Sequence, residues 1–166
     1  MLCDNIMSKS KIYHNPKGPA LRATFVVEKG KIVRIDLSLN KKEGFEWEII
    51  GDSADAEEIE AWVTSYCNGE QPKVVLPISL PKFPPFTSKV LRRLAAVPFA
   101  TSYSYGEFAA LLGSPQAARA VGGACGKNPF LLVIPCHRIL GAGGALGGFT
   151  AGIEIKRLLL KFEKLA

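Results

Sequence analysis

A cysteine and a histidine stand side by side in the segment IPCHR, residues 134–138. A cysteine reacts as a nucleophile through its thiolate, and a thiol with an ordinary pKa of about 8.5 needs a base or a positive charge nearby to ionise at neutral pH. His137 and Arg138 are candidates for that role. Pro135 restricts its own φ and the conformation of Ile134, which helps to hold the thiol in one orientation. The segment indicates thiol chemistry, although most cysteines are inert buried residues.

A carboxylate near the end of the chain is a candidate partner for the histidine. The segment IEIKRLLLKFEKL predicts an amphipathic helix, with Glu163 beside its apolar face. Such a carboxylate can orient the imidazole of His137, as the acid does in other sets of nucleophile, base and acid. An ordinary surface carboxylate fits the same spacing. The residues predicted to face the core are Ile155, Leu158, Leu159 and Phe162.

The sequence contains no recognisable motif for binding a nucleotide cofactor or a metal. The run GAGGALGGF lacks the G-x-G-x-x-G spacing, and GGACGKN lacks the spacing of a phosphate loop. We therefore expect no cofactor, and a glycine-rich loop that either wraps closely around a planar ligand or forms a simple wing. The four cysteines, Cys3, Cys67, Cys125 and Cys136, form no CxxC pair, and there are two histidines. Reduced thiols and no bound metal are expected.

Positive charge is concentrated in the second half of the chain. Residues 1–85 carry 11 basic and 12 acidic side chains, whereas residues 86–166 carry 10 and 3, a net charge of +7. A basic surface of this kind suits a nucleic acid, because Lys and Arg displace the counterions of its phosphates; general solubility is the alternative. No apolar run reaches the roughly 18 residues that span a bilayer, and the amino terminus lacks a signal-peptide core. A cytoplasmic location without membrane contact is expected.

The first half has the pattern of a small mixed α/β unit. The runs LRATFVV and KIVRIDL, separated by Glu28-Lys29-Gly30, predict a hairpin, and EWEII predicts another strand. Residues 53–67 predict a helix with Ser53 as its N-cap, and KVVLPI predicts a returning strand. Prolines then predict an extended linker at residues 81–85. The residues predicted on the apolar face of the helix are Ile59, Trp62, Val63 and Tyr66.

The second half is predicted to be mostly helical. FTSKVLRRLAAV forms one amphipathic helix, and Ser104 with Glu107 has the spacing of a capping box. Gly113 can end that helix, and Ser114-Pro115 predicts the start of the next. Two short helices joined by a tight turn form a helix-turn-helix, which either binds DNA or serves as plain helical packing. The run FLLVI is β-like or otherwise buried, so Cys136 is expected where the chain leaves the core.

The second of these helices, PQAARAVGGA, consists of small residues around Arg119. Small side chains would let the helix enter a groove of DNA, and Arg119 is long enough to reach the base stack. The same surface would also pack against a neighbouring helix, with Arg119 in solvent.

Taken together, the motifs SYGEFA, AARAVGGA, NP, IPCHR and KRLLLKFE occur in an order that closely resembles the O6-alkylguanine-DNA alkyltransferases. The resemblance covers about half of the chain, from Phe86 to Glu163, and the first half resembles the family's variable amino-terminal domain in size and pattern. It implies an α+β protein of two small domains. These are a ribonuclease H-like domain at residues 1–80 and a winged helix-turn-helix domain at residues 86–166, on either side of the linker at 81–85.

The resemblance implies DNA repair by direct reversal of damage. The alkyl group of O6-alkylguanine, with O4-methylthymine as an open second substrate, would move irreversibly to Cys136, so that each protein molecule acts once. His137 would act through a water as the base, Glu163 would orient His137, and Asn128 would stabilise the turn beneath the site. Tyr105 would help to rotate the target nucleotide out of the duplex and place its hydroxyl near the base.

The implied partner is double-stranded DNA carrying O6-alkylguanine, bound in the minor groove by a monomer with weak sequence preference. Arg119 would fill the space left in the base stack. The implied DNA-binding residues are Arg119, Tyr105, Ala117, Ala118, Ala120 and Gly122; the implied substrate pocket consists of Tyr105, Phe149, Thr150 and Ile139. Thr150-Ala151 stands where the family often has Ser-Gly, which predicts reduced tolerance of bulky alkyl groups. Some relatives bind zinc in the first domain, and this chain lacks a matching set of ligands.

Two other functions remain open from the residues themselves. A helix-turn-helix regulator or alkylation-damage sensor without catalysis would explain the basic half and Arg119, but it leaves Cys136 and His137 unused. A cysteine hydrolase would use both of these residues, but it explains neither the charge asymmetry nor Tyr105.

Overall fold

A mixed four-stranded sheet forms the first half of the molecule. The computed structural model describes residues 10–52 and 56–166. The strands lie in the order β1-β4-β2-β3, with β2 antiparallel to β3, parallel to β4, and β4 antiparallel to β1. The predicted hairpin is present and turns at Lys29-Gly30, both with positive φ, and EWEII lies in β4. The strands are β1 (Ile12–Asn15), β2 (Leu21–Glu28), β3 (Lys31–Leu39) and β4 (Phe45–Gly51).

One face of the sheet is buried against the helices. Along β2 every second residue from Leu21 to Val27 is buried, as the two-residue period of a strand requires. In β3 a bulge opposite Val26 and Val27 adds one residue, so Ile32 and Ile35 both reach the core although they are three positions apart.

Helix α1 (Ala56–Cys67) covers part of this core with the four residues predicted for its apolar face. The predicted N-cap, Ser53, lies outside the described residues. The segment KVVLPI, predicted as a strand, is not one: it makes a single bridge, between Ile78 and Ile32. Pro77 has no N–H to donate to a ladder and Val75 is 87% exposed, which limits the pairing.

The second half contains four α-helices and one short pair of strands. They are α2 (Pro85–Ala95), β5 (Tyr103–Ser104), α3 (Tyr105–Leu111), α4 (Ala118–Cys125), β6 (Ile139–Leu140) and α5 (Ile153–Phe162). β5 and β6 pair in parallel. The predicted capping box is present, because the Ser104 hydroxyl accepts from the Glu107 backbone N–H while the Glu107 carboxylate accepts from that of Ser104.

The start of α4 differs from the prediction. Ser114-Pro115 does not begin the helix: the Ser114 carbonyl accepts from the Ala117 N–H at 2.9 Å in a separate turn, and α4 begins at Ala118 without a side-chain cap. Because the Ser114 carbonyl is engaged in this turn, it does not accept the first hydrogen bond of α4. The helix therefore begins three residues later than predicted.

The run FLLVI is buried but is not a strand. Phe130 makes one bridge to Ile35, after which the chain turns through Leu132 at φ 74° and Ile134 N–H donates to the Phe130 carbonyl at 2.9 Å. Of the two interpretations of this run, the buried irregular segment is correct. The turn delivers Pro135 and Cys136 to the boundary of the core.

A single hydrophobic cluster joins both halves of the chain. It runs from Leu21 and Phe25 in the sheet to Leu91, Phe108 and Leu159 in the helices. In α5 the predicted face is shifted: Ile155 and Leu159 are buried, Leu158 and Phe162 are half-buried, and Lys156 and Leu160 are buried instead. Among the described residues, no helix has the length and hydropathy needed to cross a membrane.

The capping box should contribute measurably to stability. We expect Ser104→Ala to lower the free energy of unfolding by about 1 kcal/mol, because the Glu107 N–H loses its acceptor at the start of α3. Ser114→Ala is the matched control, since this hydroxyl caps no helix, and should stay within about 0.5 kcal/mol of the parent. Urea unfolding of both variants checks this. An equal loss in both would mean that the capping box has no special effect.

Candidate active site

Cys136 opens a 3-10 turn, residues Cys136–Arg138, at the wall of a cleft. Cys136 is 4% exposed, and the cleft has a volume of about 340 Å³. Backbone hydrogen bonds hold the turn, from Cys136 N–H to the Ile134 carbonyl at 2.8 Å and from Arg138 N–H to the Pro135 carbonyl at 3.0 Å. The residues that line the cleft are Tyr105, Gly122, Cys125, Gly126, Cys136, Gly148, Phe149 and Thr150.

Asn128 connects the turn to the thiol. Its side-chain Nδ2 donates to the Ile134 carbonyl at 2.7 Å and to the Cys136 sulfur at 3.2 Å, while its Oδ1 accepts from Phe130 N–H at 2.9 Å. The side chain is buried. An N–H directed at the sulfur favours the thiolate over the thiol. Asn128 therefore braces the turn and also acts directly on the sulfur.

His137 and Glu163 form a buried pair, with His137 Nε2 and Glu163 Oε1 2.7 Å apart. Burial by itself raises the pKa of the Glu163 carboxyl. Hydrogen bonds from His137 and Arg138, the Arg138 charge and, once His137 is protonated in acid, its charge outweigh burial and lower the pKa to about 2. An ionised carboxylate only accepts, so the imidazole proton lies on Nε2 and the lone pair on Nδ1. Within the described part of the chain, Nδ1 is buried without a hydrogen-bond partner.

The histidine is neutral at physiological pH. Burial lowers its pKa below the ordinary 6.5 against the opposing effect of Glu163, and the charges of Arg138 and Lys156 lower it further. A neutral imidazole with a free Nδ1 is a proton acceptor, which is what a general base requires.

The thiol of Cys136 is protonated at neutral pH. Burial raises its pKa above the ordinary value, although the Asn128 hydrogen bond and the Lys156 charge act in the opposite direction. Ionisation of this thiol therefore requires a base. Cys125, which lines the same cleft, also has a raised pKa, of about 12, chiefly through burial.

Three residues of this centre were missed or misjudged from the sequence. Arg138, considered beside His137 as an activator of the thiol, instead donates Nε to Glu163 Oε2 at 2.7 Å and Nη2 to Oε1 at 3.1 Å. Lys156 is completely buried and donates Nζ to the Ile139 carbonyl at 2.7 Å. Tyr66, from α1, donates its hydroxyl to Glu163 Oε1 at 3.0 Å. Lys156 was detectable, because it lies seven residues before Glu163 on one helical face.

The predicted pocket residues fall into two groups. Tyr105, Phe149 and Thr150 line the cleft. Ile139 does not: its side chain is buried in β6, and its carbonyl is the acceptor for Lys156. The Tyr105 ring lies over Gly122, where an added Cβ would be 3.7 Å from the ring. Burial raises the pKa of Tyr105, so its hydroxyl stays neutral.

Most of the predicted DNA-binding residues lie along α4, which packs against α3; Ala117 immediately precedes this helix, and Tyr105 begins α3. Arg119 and Ala120 are exposed, Ala117 and Ala118 are half-buried at the start of the helix, and Gly122 lines the cleft. The small residues leave the exposed backbone of α4 accessible beside the mouth of the cleft.

The fold and the site together define a mixed α/β protein with a buried cysteine, histidine and glutamate centre. The family model described as the DNA binding domain of 6-O-methylguanine DNA methyltransferase matches residues 85–165. An inducible methylated-DNA–protein-cysteine methyltransferase of Bacillus subtilis is 34% identical over 133 residues, which cover 75% of this chain and 74% of that protein. The chain belongs to the methylated-DNA–protein-cysteine methyltransferase family.

Other relatives match more closely over a shorter length. A methylated-DNA–protein-cysteine methyltransferase of Mycobacterium bovis is 48% identical over 79 residues. The matched segment covers about half of each protein, 48% of this chain and 48% of that one. A crystal structure of Mycobacterium tuberculosis OGT in complex with DNA has a TM-score of 0.67 and 30% identity, and covers 93% of this chain and 92% of that chain. An O6-methylguanine-DNA methyltransferase of Pyrococcus kodakaraensis, with a TM-score of 0.59 and 21% identity, shares the fold.

Proposed function

We propose that this protein repairs DNA by transferring the alkyl group of O6-alkylguanine to Cys136. The observation that carries the proposal is the arrangement around the Cys136 sulfur at the wall of the cleft. Asn128 donates a hydrogen bond to the sulfur, and the next residue in the chain is a neutral His137 that is held by ionised Glu163. Family membership supports it, since the relatives are named for this reaction.

The reaction balances without a cofactor. The Cys136 proton passes to His137 through a water, the thiolate attacks the alkyl carbon, and the bond from that carbon to guanine O6 breaks with its electrons left on the base. The guanine takes up one proton and remains in the DNA as the normal base. Tyr105, whose neutral hydroxyl lies at the cleft, is suited to donate a hydrogen bond to the base as this proton is taken up. The thioether formed on Cys136 has no good leaving group, so the thiol is not regenerated and each molecule acts once.

The substrate base must leave the base stack, because the thiol of a residue as buried as Cys136 cannot reach a stacked base. We infer that α4 enters the minor groove, that Arg119 fills the vacated space, and that phosphate contacts give weak sequence preference. The +7 charge of residues 86–166 supports binding to duplex DNA, as does the DNA complex of Mycobacterium tuberculosis OGT.

Finer features of the architecture are part of the proposal. We propose a ribonuclease H-like unit at residues 1–80, a linker at 81–85, a winged helix-turn-helix unit at 86–166, and action as a cytoplasmic monomer. The change from sheet to helices around the prolines supports the division, although the hydrophobic cluster is continuous across it. Within the described residues no cluster of three metal-ligating side chains occurs, and a metal-free protein stays a prediction.

Intact-protein mass spectrometry tests the proposed reaction. Incubation with excess duplex DNA containing one O6-methylguanine should add one methyl group per molecule, mapped to Cys136, and unmodified DNA should add none. Addition stops at one because the thioether is stable. A methyl group on Cys125, which lines the same cleft, or several groups removed per molecule would contradict the proposal.

A further inference from the structure

A tyrosine from the first half of the chain reaches the catalytic centre of the second half. The Tyr66 hydroxyl donates to Glu163 Oε1 at 3.0 Å across 97 positions of sequence, and both side chains are completely buried. We propose that Tyr66 is a positioning residue, which acts through Glu163 to set the orientation and basicity of His137. The inference rests on the proposed function, and it assigns the first half of the chain a part in the chemistry.

The donors around the Glu163 carboxylate divide its two oxygens unequally. Oε2 accepts from Arg138 Nε, whereas Oε1 accepts from His137 Nε2, Arg138 Nη2 and the Tyr66 hydroxyl. Arg138 spans both oxygens and sets the plane of the carboxylate. Tyr66 adds its donor to the oxygen that faces the imidazole, so it bears on the contact that orients His137.

The ring of Tyr66 is held on several sides, which fixes the direction of its hydroxyl. It stacks on Trp62 with ring centroids 5.6 Å apart and planes within 9°. Phe99 meets it edge-on at 5.6 Å, and Phe162, the neighbour of Glu163, lies at 5.3 Å. Burial raises the pKa of Tyr66 well above its ordinary value, and the Glu163 charge acts in the same direction. The hydroxyl is therefore a neutral donor at every working pH.

The effect on His137 follows from the groups that face it. Glu163 accepts a hydrogen bond from the Nε2–H of His137, and the Arg138 and Lys156 charges oppose protonation of the imidazole. Cys136 precedes His137 in the chain, and Tyr66 contacts the histidine only indirectly, through Glu163. A donor on Oε1 withdraws charge from the atom that would stabilise an imidazolium. Without that donor, Oε1 becomes a stronger acceptor and the pKa of His137 rises, so the neutral base is lost at a higher pH.

Tyr66→Phe removes the hydroxyl and keeps the packed ring. Because Oε1 retains two donors, this variant should fold, with a thermal midpoint within a few degrees of the parent. At saturating O6-methylguanine duplex, we expect the methylation rate at pH 7 to fall about tenfold, chiefly because the imidazole is less well oriented once this hydrogen bond is lost. We expect the acid limb of its pH profile to move about half a unit upward. Duplex affinity should change less than twofold, because Tyr66 is buried in α1 and is not part of the exposed surface of α4.

Tyr13→Phe is the matched control, since Tyr13 stacks on Trp47 in the sheet with centroids 5.2 Å apart. This variant should keep the parent rate and pH profile. If Tyr66→Phe keeps both as well, or if it loses stability with an unchanged acid limb, Tyr66 is a packing residue and the inference is wrong.

A second measurement needs no DNA and separates this inference from the proposed function. Iodoacetamide alkylates cysteine thiolates directly, and peptide mapping distinguishes Cys136 from Cys3, Cys67 and Cys125. In Tyr66→Phe the acid limb of Cys136 alkylation should move upward as in the DNA reaction. A parent protein that takes no methyl group from DNA would refute the proposed function alone, whereas an unchanged iodoacetamide profile in Tyr66→Phe would refute the role of Tyr66.

Discussion

Replacing Cys136 by alanine is expected to abolish alkyl transfer and to leave binding to duplex DNA intact. In the proposed reaction the Cys136 sulfur forms the new bond, and it is the sulfur to which Asn128 donates in the turn that Asn128 braces. The exposed residues of α4, Arg119 and Ala120, lie outside that turn. Intact mass after incubation with O6-methylguanine duplex, together with fluorescence anisotropy on the same duplex, measures the two effects separately.

Cys125→Ala is the matched control for this experiment, because Cys125 lines the same cleft and is similarly buried. It should retain full transfer. Methyl uptake by Cys136→Ala would identify another acceptor and refute the proposed role of Cys136. Equal binding by the parent and Cys136→Ala, with no methyl uptake by either, would favour a DNA-binding regulator or damage sensor.

Replacing Glu163 by glutamine is expected to impair both stability and reaction rate. The change leaves the buried guanidinium of Arg138 without its anion, which costs about 3 to 5 kcal/mol. It also removes the carboxylate that fixes the His137 tautomer, so we expect transfer to slow by about two orders of magnitude. Urea unfolding and single-turnover methylation check the two parts. Glu154→Gln, in an exposed pair with Arg157, should change stability by less than about 1 kcal/mol.

The same pair makes the folded protein sensitive to acid. The pKa of Glu163 is about 2 in the folded state against an ordinary 4.5, so its stabilisation, about 3 kcal/mol, is present above pH 4.5 and is lost as pH falls toward 2. His137 acts in the same direction, because its lowered pKa means that unfolding takes up a proton below pH 6.5. Unfolding free energies of Glu163→Gln should therefore depend less on pH between 5 and 3 than those of the parent; an equally steep dependence would contradict the assignment.

Local structure was predictable where neighbouring residues determine it. Ser104 and Glu107 formed the expected capping box, and Lys29-Gly30 formed the expected hairpin turn. The prediction was wrong at Ser114, where a turn competes for the same backbone groups. It was also wrong at KVVLPI, because strand pairing depends on a partner edge that the segment itself does not specify.

The site was predictable in its residue types and only partly in its geometry. Cys136 and His137 are adjacent in sequence, and the motif order indicated Asn128 and Glu163. The sequence did not indicate that Arg138 turns away from the thiol to Glu163. Ile139, expected in the pocket, contributes its carbonyl to Lys156 instead.

The amino-acid sequence by itself indicated the candidate nucleophile, the basic second half and the motif order that identifies the family. These depend on residue identity and on short spacings, which a single chain displays directly. Only the tertiary structure decided which groups surround the Glu163 carboxylate. Tyr66 lies 97 positions away and reaches it because the sheet and the helices share one hydrophobic cluster. Packing decides which groups lie within hydrogen-bond distance of a buried charge. Local sequence patterns do not predict contacts between residues that are far apart in the chain.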